Sequence, residues 1–91
     1  MKNIRSFLSH QPQIADTAYI DQAAVVIGEV KIGKNASVWP MCVIRGDVNH
    51  IIIGDDSNIQ DGSILHVTHK TPQNPEGGPL IIGKGVTVGH G

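Results

Sequence analysis

Eleven aliphatic residues recur through this chain on a beat of six: Ile14, Ile20, Val26, Ile32, Val38, Ile44, then Ile53, Ile59, Leu65, then Ile82 and Val88. That period fits neither the about 3.6 residues of a helical turn nor the plain two-residue alternation of a long strand. It suits short strands separated by sharp, identically repeating turns, with three hexads closing one triangular coil. Residues four places after the beat are mostly small: Ala18, Ala24, Val30, Ala36, Cys42, Val48, Ser57, Ser63 and Val86. Bulky and small inward positions therefore alternate. Stacked coils, with neighbouring strands about 4.8 Å apart, build one continuous core.

The beat slips twice. Ile44 to Ile53 is nine residues, six plus three, and Leu65 to Ile82 is seventeen, six plus eleven. The hexad phase recovers both times, which places the surplus at corners of the triangle. The longer surplus includes residues 71–79, whose Thr, Pro, Asn and Gly mark an inserted loop. Excursions in solenoids gather on one face and often border a site. The reading is a single domain over residues 1–91. Val88 to Gly91 begin a hexad that stops after four residues. Repeat proteins normally end in a cap and an open parallel edge invites pairing, so a truncated portion of a longer protein is expected.

A net charge of −1 with 16% charged residues offers no basic patch for nucleic acid. No apolar run approaches the roughly 18 residues that span a membrane, and Met1 to His10 lacks the apolar stretch of a signal peptide. A cytoplasmic location is expected. The one cysteine cannot form an internal disulfide, and Cys42 falls in the small inward column as a packing residue.

Residues one step after the beat point outward, among them Trp39, Arg45, Gln60 and His66. Three hexads separate the Ile44 and Leu65 beats, so Arg45 and His66 are vertical neighbours on one face. By the same count Ile59 and Val88 share another face, which puts His90 directly over Asp61. Arg45, Asp47, Gln60, Asp61, His66 and His90 thus concentrate on two faces and the corner between them. Taken singly each has a bland explanation: an outward histidine is usually solvated, and an exposed Arg–Asp pair contributes under about 1 kcal/mol. His10, in a polar N-terminal lead, and His50, in the three-residue surplus, have no partner at ligand spacing and read as solvated. Trp39 lies at a corner on the Gln60 face, to be buried either against a neighbouring subunit or under the inserted loop.

The series Arg45-Gly46-Asp47, Asn58-Ile59-Gln60-Asp61-Gly62, His66 and Gly89-His90-Gly91 closely resembles the γ-class carbonic anhydrases and their bacterial homologues, from Ile14 to Gly91. The resemblance implies a left-handed parallel β-helix, all-β, of the hexapeptide-repeat kind. This handedness is an exception to the right-handed crossover rule, so it comes from the resemblance. It also implies a homotrimer with zinc, or sometimes iron or cobalt, held between subunits by three histidines. His66 corresponds to a ligand from one subunit and His90 to a ligand from its neighbour. The third falls five residues after His90, beyond Gly91, on the face of His66.

The same resemblance makes Arg45 and Asp47 a salt bridge across the subunit interface. It makes Gln60 a hydrogen-bond partner of metal-bound water or bicarbonate, Asp61 an acceptor that orients an imidazole, and Asn58 a residue of the substrate pocket. The implied chemistry is reversible hydration of carbon dioxide by zinc-bound hydroxide. The family's two proton-transfer glutamates are absent, with Val48 at the first position and His69 near the second. His69, an imidazole with an unperturbed pKa of roughly 6.5, is the candidate shuttle, and Glu76 a weaker one. With two of three histidines, this chain by itself is expected to bind metal weakly. Two other readings stay open: a hexapeptide acyltransferase using acetyl-coenzyme A, and a non-catalytic trimeric scaffold.

Overall fold

A computed structural model describes residues 3–68, 70–75 and 77–91. Its strands are β1 (Ile4–Arg5), β2 (Gln13–Ile14), β3 (Tyr19–Ile20), β4 (Val25–Ile32), β5 (Ser37–Val38), β6 (Val43–Ile53), β7 (Asn58–Ile59), β8 (Ile64–Leu65), β9 (Leu80–Ile82) and β10 (Thr87–Val88). Every strand pairing is parallel. The chain winds as a prism with three faces. Face A stacks Ile4, Val26, Ile44 and Leu65 in one vertical column. Face B stacks Ile14, Ile32, Ile53 and Ile82. Face C stacks Ile20, Val38, Ile59 and Val88. The hexad beat is therefore the inward column of each face, and the central members of these columns are fully buried.

The turns between faces are sharp because a few residues accept positive φ, among them Asn35 (59°) and Asp56 (62°). Asn and Asp tolerate that region because their short polar side chains bond the local backbone. Inward serines need partners once buried. Ser57 Oγ donates to the Gly83 carbonyl and accepts from the Val86 N–H, while Ser63 Oγ donates 2.9 Å to the Gly89 carbonyl. Each small inward polar residue thus ties its coil to the one above.

Three expectations change. Ile4 belongs to the beat and completes a first coil, so the lead is part of the solenoid and not an appendage. Its phase is hidden in sequence because Ile4 to Ile14 is ten residues, the surplus taken up by a tight turn in which Phe7 and His10 exchange backbone hydrogen bonds of 2.8 and 3.0 Å. Val48 is not inward: it is 45% exposed, and Ile51 pairs with Val30 in its place. Two-residue alternation back from Ile53 selects Ile51, whereas Val48 lies within the surplus. Val86 is also 38% exposed. All surplus residues leave from one corner, between faces A and B, in the first, third and fourth coils. Only the second coil passes that corner without extra residues, at Gly28.

Candidate metal centre

Face A carries a second, outward column one step after its aliphatics: Arg5, Ile27, Arg45 and then His66. The chain then bulges out of register after Gly46, and Asp47 turns back beneath His66. Asp47 Oδ2 accepts from Arg45 Nη1 at 2.7 Å, and Oδ1 lies 2.9 Å from His66 Nε2. An ionised carboxylate only accepts, so His66 holds its proton on Nε2 toward Asp47, and Nδ1 carries the lone pair in the neutral ring. Asp47 and Arg45 pair within one chain here, whereas the resemblance implied a bond across subunits. Partial burial pushes the Asp47 carboxyl up, but the His66 hydrogen bond, the backbone N–H groups of Val48 and Asp47, and the Arg45 charge outweigh it. The net effect holds the carboxyl below its usual value.

This shift sets a pH dependence. A carboxyl depressed in the folded state adds stability above its unfolded pKa, and that stability is lost as pH falls through the lower folded value. Asp47→Asn is expected to remove part of the acid-side loss below about pH 4. Because Arg45 and His66 are partly solvated, the change should be under about 1 kcal/mol. Urea unfolding of both proteins at neutral pH and at about pH 3 measures it; parallel pH profiles would refute it.

Face C brings Ser37, Asn58 and Thr87 into one outward column, and Trp39, Gln60 and Gly89 into the next. Ser37, Trp39, Asn58, Gln60 and Asp61 line a shallow depression of 350 Å³. Asn58 Nδ2 donates 3.2 Å to Thr87 Oγ1, and the buried Cys42 thiol donates 3.1 Å to the Gln60 carbonyl. The Gly91 N–H bonds the Asp61 carbonyl at 3.0 Å, which sets His90 beside Asp61 in the neighbouring coil, as the hexad count required. Trp39 lies on Tyr19, ring centroids 5.0 Å apart, and its Nε1 donates 3.0 Å to Ser37 Oγ. The inserted loop leaves from the corner between faces A and B, whereas Trp39 stands at the corner between faces C and A, so of the two expected covers for Trp39 the loop is not the one.

The expected residues thus form two groups: Arg45, Asp47 and His66 at the far end of face A, and Asn58, Gln60, Asp61 and His90 on face C and its corner. His69 and Glu76 lie outside the described residues. No three or more His, Cys, Asp or Glu side chains converge to hold a metal among the described residues. The donor chemistry of His66 nonetheless fits a metal, since a carboxylate on one ring nitrogen fixes the tautomer that leaves the other free to ligate. One chain presents these two imidazoles on two different faces, His66 on face A and His90 beside face C. A concavity of 490 Å³ between the excursions of the first and third coils contains His10, Glu29, Lys31 and His50 and none of these residues. His10 Nδ1 is 3.9 Å from Glu29 Oε1 there.

Asn49 went unnoticed in the sequence. It is buried, its Nδ2 donates 3.3 Å to the Thr68 carbonyl, and its Oδ1 accepts from the His50 N–H at 2.9 Å. Thr68 and Gly78 exchange backbone hydrogen bonds at the base of the loop. Asn49 therefore ties the Asp47 corner to the segment that follows His66. Nothing in the residue pattern marks it, because its burial depends on where the surplus folds.

The chain is 52% identical over 87 residues to Protein YrdA of Escherichia coli (strain K12), covering 96% of this chain and 47% of that one. It is 51% identical over 79 residues to the carbonic anhydrase of Geobacillus kaustophilus (strain HTA426), covering 87% of this chain and 40% of the relative. This chain is a homologue of proteins named gamma carbonic anhydrase, among them one from Arabidopsis thaliana at 40% identity over 89 residues, 98% of this chain and 32% of that one. The gamma carbonic anhydrase homologue spans about half the length, or less, of these curated relatives. A crystal structure of a hexapeptide transferase family protein from Anaplasma phagocytophilum superposes with TM-score 0.82 at 40% identity, over 99% of this chain and 49% of that one. The fold is thus the left-handed parallel β-helix of hexapeptide-repeat proteins. No protein-family model matches the chain.

Proposed function

We propose that this chain forms a zinc centre shared between subunits of a homotrimer and serves the reversible hydration of carbon dioxide. The observation that carries this reading is Asp47 gripping Arg45 and His66 at once, which holds an imidazole in ligating form beside a fixed positive charge. His66 of one subunit and His90 of the next would hold the ion, with iron or cobalt as other candidates. A bound zinc ion supplies the Lewis acid that makes water nucleophilic near neutral pH.

The chain's own residues do the rest. Asp47 would orient His66 through their hydrogen bond, and Asp61, beside His90 in the neighbouring coil, would orient His90. The Gln60 and Asn58 amides, side by side on face C, offer donors to the oxygens of carbon dioxide or bicarbonate. Arg45 favours the anionic product, and His69 is the candidate acceptor of the released proton. Among the described residues no helix is long and apolar enough to cross a membrane. A cytoplasmic protein acting on small molecules, without nucleic acid, is part of the same proposal.

Similarity to a hexapeptide transferase family protein favours a second reading, an acyltransferase using acetyl-coenzyme A. Metal content and stopped-flow carbon dioxide hydration on one preparation test both. Stoichiometric zinc with hydration above the buffer rate supports the proposal. Zinc with the buffer rate leaves only a structural metal, and acetyl-coenzyme A binding without metal supports the acyltransferase.

A further inference from the structure

A closed ring of prisms about an axis parallel to their own keeps every coil at its own height. A ring that brings His90 of one copy to His66 of the next, as proposed above, therefore apposes everything beneath those two residues, coil by coil. Beneath His66 on face A stand Arg45, Ile27 and Arg5. Beneath Gly89 and His90 at the edge of face C stand Gln60 and Asp61, then Trp39 and Pro40, then Asp21 and Gln22.

The two columns match at each height. An imidazole meets an imidazole in the fourth coil, and a guanidinium meets an amide and a carboxylate in the third. An aliphatic side chain meets an indole in the second, and an arginine meets an aspartate in the first. The outward column of face B, with Lys31 in the second coil and Gln13 in the first, offers no such match.

The indole is prepared for burial. Trp39 is 39% exposed and Tyr19 48%, yet the polar tip of each is satisfied within the chain, Trp39 Nε1 by Ser37 Oγ and the Tyr19 hydroxyl by Asp21 Oδ1 at 2.8 Å. Desolvating their ring faces costs no hydrogen bond, and wet aromatic surface is unfavourable. Ile27 is half-buried and directed outward at the same height.

We infer that Trp39, backed by Tyr19, is the anchor of self-assembly, docking on Ile27 of a second copy of this chain with Asp21 and Arg5 of opposite charge below. The inference rests on the shared-site reading and extends it to residues remote from the metal ligands.

Trp39 is the sole tryptophan, so intrinsic emission reports its surroundings directly. Sedimentation and emission are followed together over a dilution series. Wild-type emission is expected to shift to longer wavelength as trimers dissociate. Ile27→Lys is expected to raise the half-assembly concentration at least tenfold and to keep emission at the long wavelength, with circular dichroism unchanged. Lys31→Glu, on face B at the same height, is expected to alter neither. Trp39→Ala, read by sedimentation alone, should match Ile27→Lys in assembly and stands in if that variant does not fold. A wild-type trimer that neither Ile27→Lys nor Trp39→Ala weakens overturns the inference and leaves the shared site standing. A wild-type protein monomeric at all concentrations overturns both.

Discussion

Gly28→Ala is expected to destabilise the protein by about 3 kcal/mol, combining the about 1–2 kcal/mol cost of a left-handed side-chain-bearing residue with overpacking of similar size. Gly28 has φ of +83°, and a Cβ there would lie 2.3 Å from the Gly46 carbonyl oxygen and 3.3 Å from Phe7 Cβ. Gly46 is under the same constraint from above, since its own Cβ would meet the Glu29 carbonyl oxygen at 2.5 Å. The crowding has one cause. The second coil turns the corner between faces A and B with no surplus residues, so its backbone runs close under the third coil, between Arg45 and Asp47. The glycine pair therefore sets the height at which Asp47 meets Arg45 and His66. Gly85→Ala is the control: φ is +65° but nothing lies within 4 Å of an added Cβ, so only the about 1–2 kcal/mol left-handed cost is expected. Urea midpoints of the two variants decide the matter. A Gly28→Ala protein no less stable than Gly85→Ala would show that the close stack is not required.

What could be foreseen divides along a physical line. A periodic core is written locally, because each aliphatic reports its own inward position. Hence Ile32, Val38, Ile44 and Ile59 were placed correctly by counting, and Arg45 below His66 followed from the same count. Where the chain leaves the period, counting fails. Val48 was assigned inward and is exposed because the count was carried straight through the surplus, where the inward role passes to Ile51. Ile4 was missed because its surplus lies before the first recognised beat. The Asp47 bridge and the Asn49 tie depend on how an irregular corner folds, and no spacing rule encodes that. The Gln60 and Asp61 positions were legible, but any pairing with a second subunit is a property of an assembly, beyond what one chain's register shows.

Mixing two inactive variants is expected to restore zinc binding, and the yield follows from the symmetry. In the proposed trimer each site takes His66 from one copy and His90 from the next, so His66→Ala and His90→Ala alone each spoil every site. Loss of a direct ligand should weaken binding by at least the about 10- to 100-fold seen when groups behind a ligand are removed. In a mixed ring, one junction joins an intact His66 to an intact His90, a second lacks both, and the third lacks one. Random assembly from equal amounts makes about three-quarters of rings mixed, each with one good site in three, so about a quarter of all sites should recover. The two chains are unfolded together, refolded and assayed for bound zinc against each variant refolded alone. Were both imidazoles of a site drawn from the same chain, mixing would restore nothing, because every chain would carry one defect into its own site. A ligand role for only one of the two histidines would also be exposed, since the other variant would bind zinc without any partner. Recovery near a quarter requires that two different chains meet at one ion, the arrangement from which the level matching of Arg45 with Gln60 and of Ile27 with Trp39 was drawn.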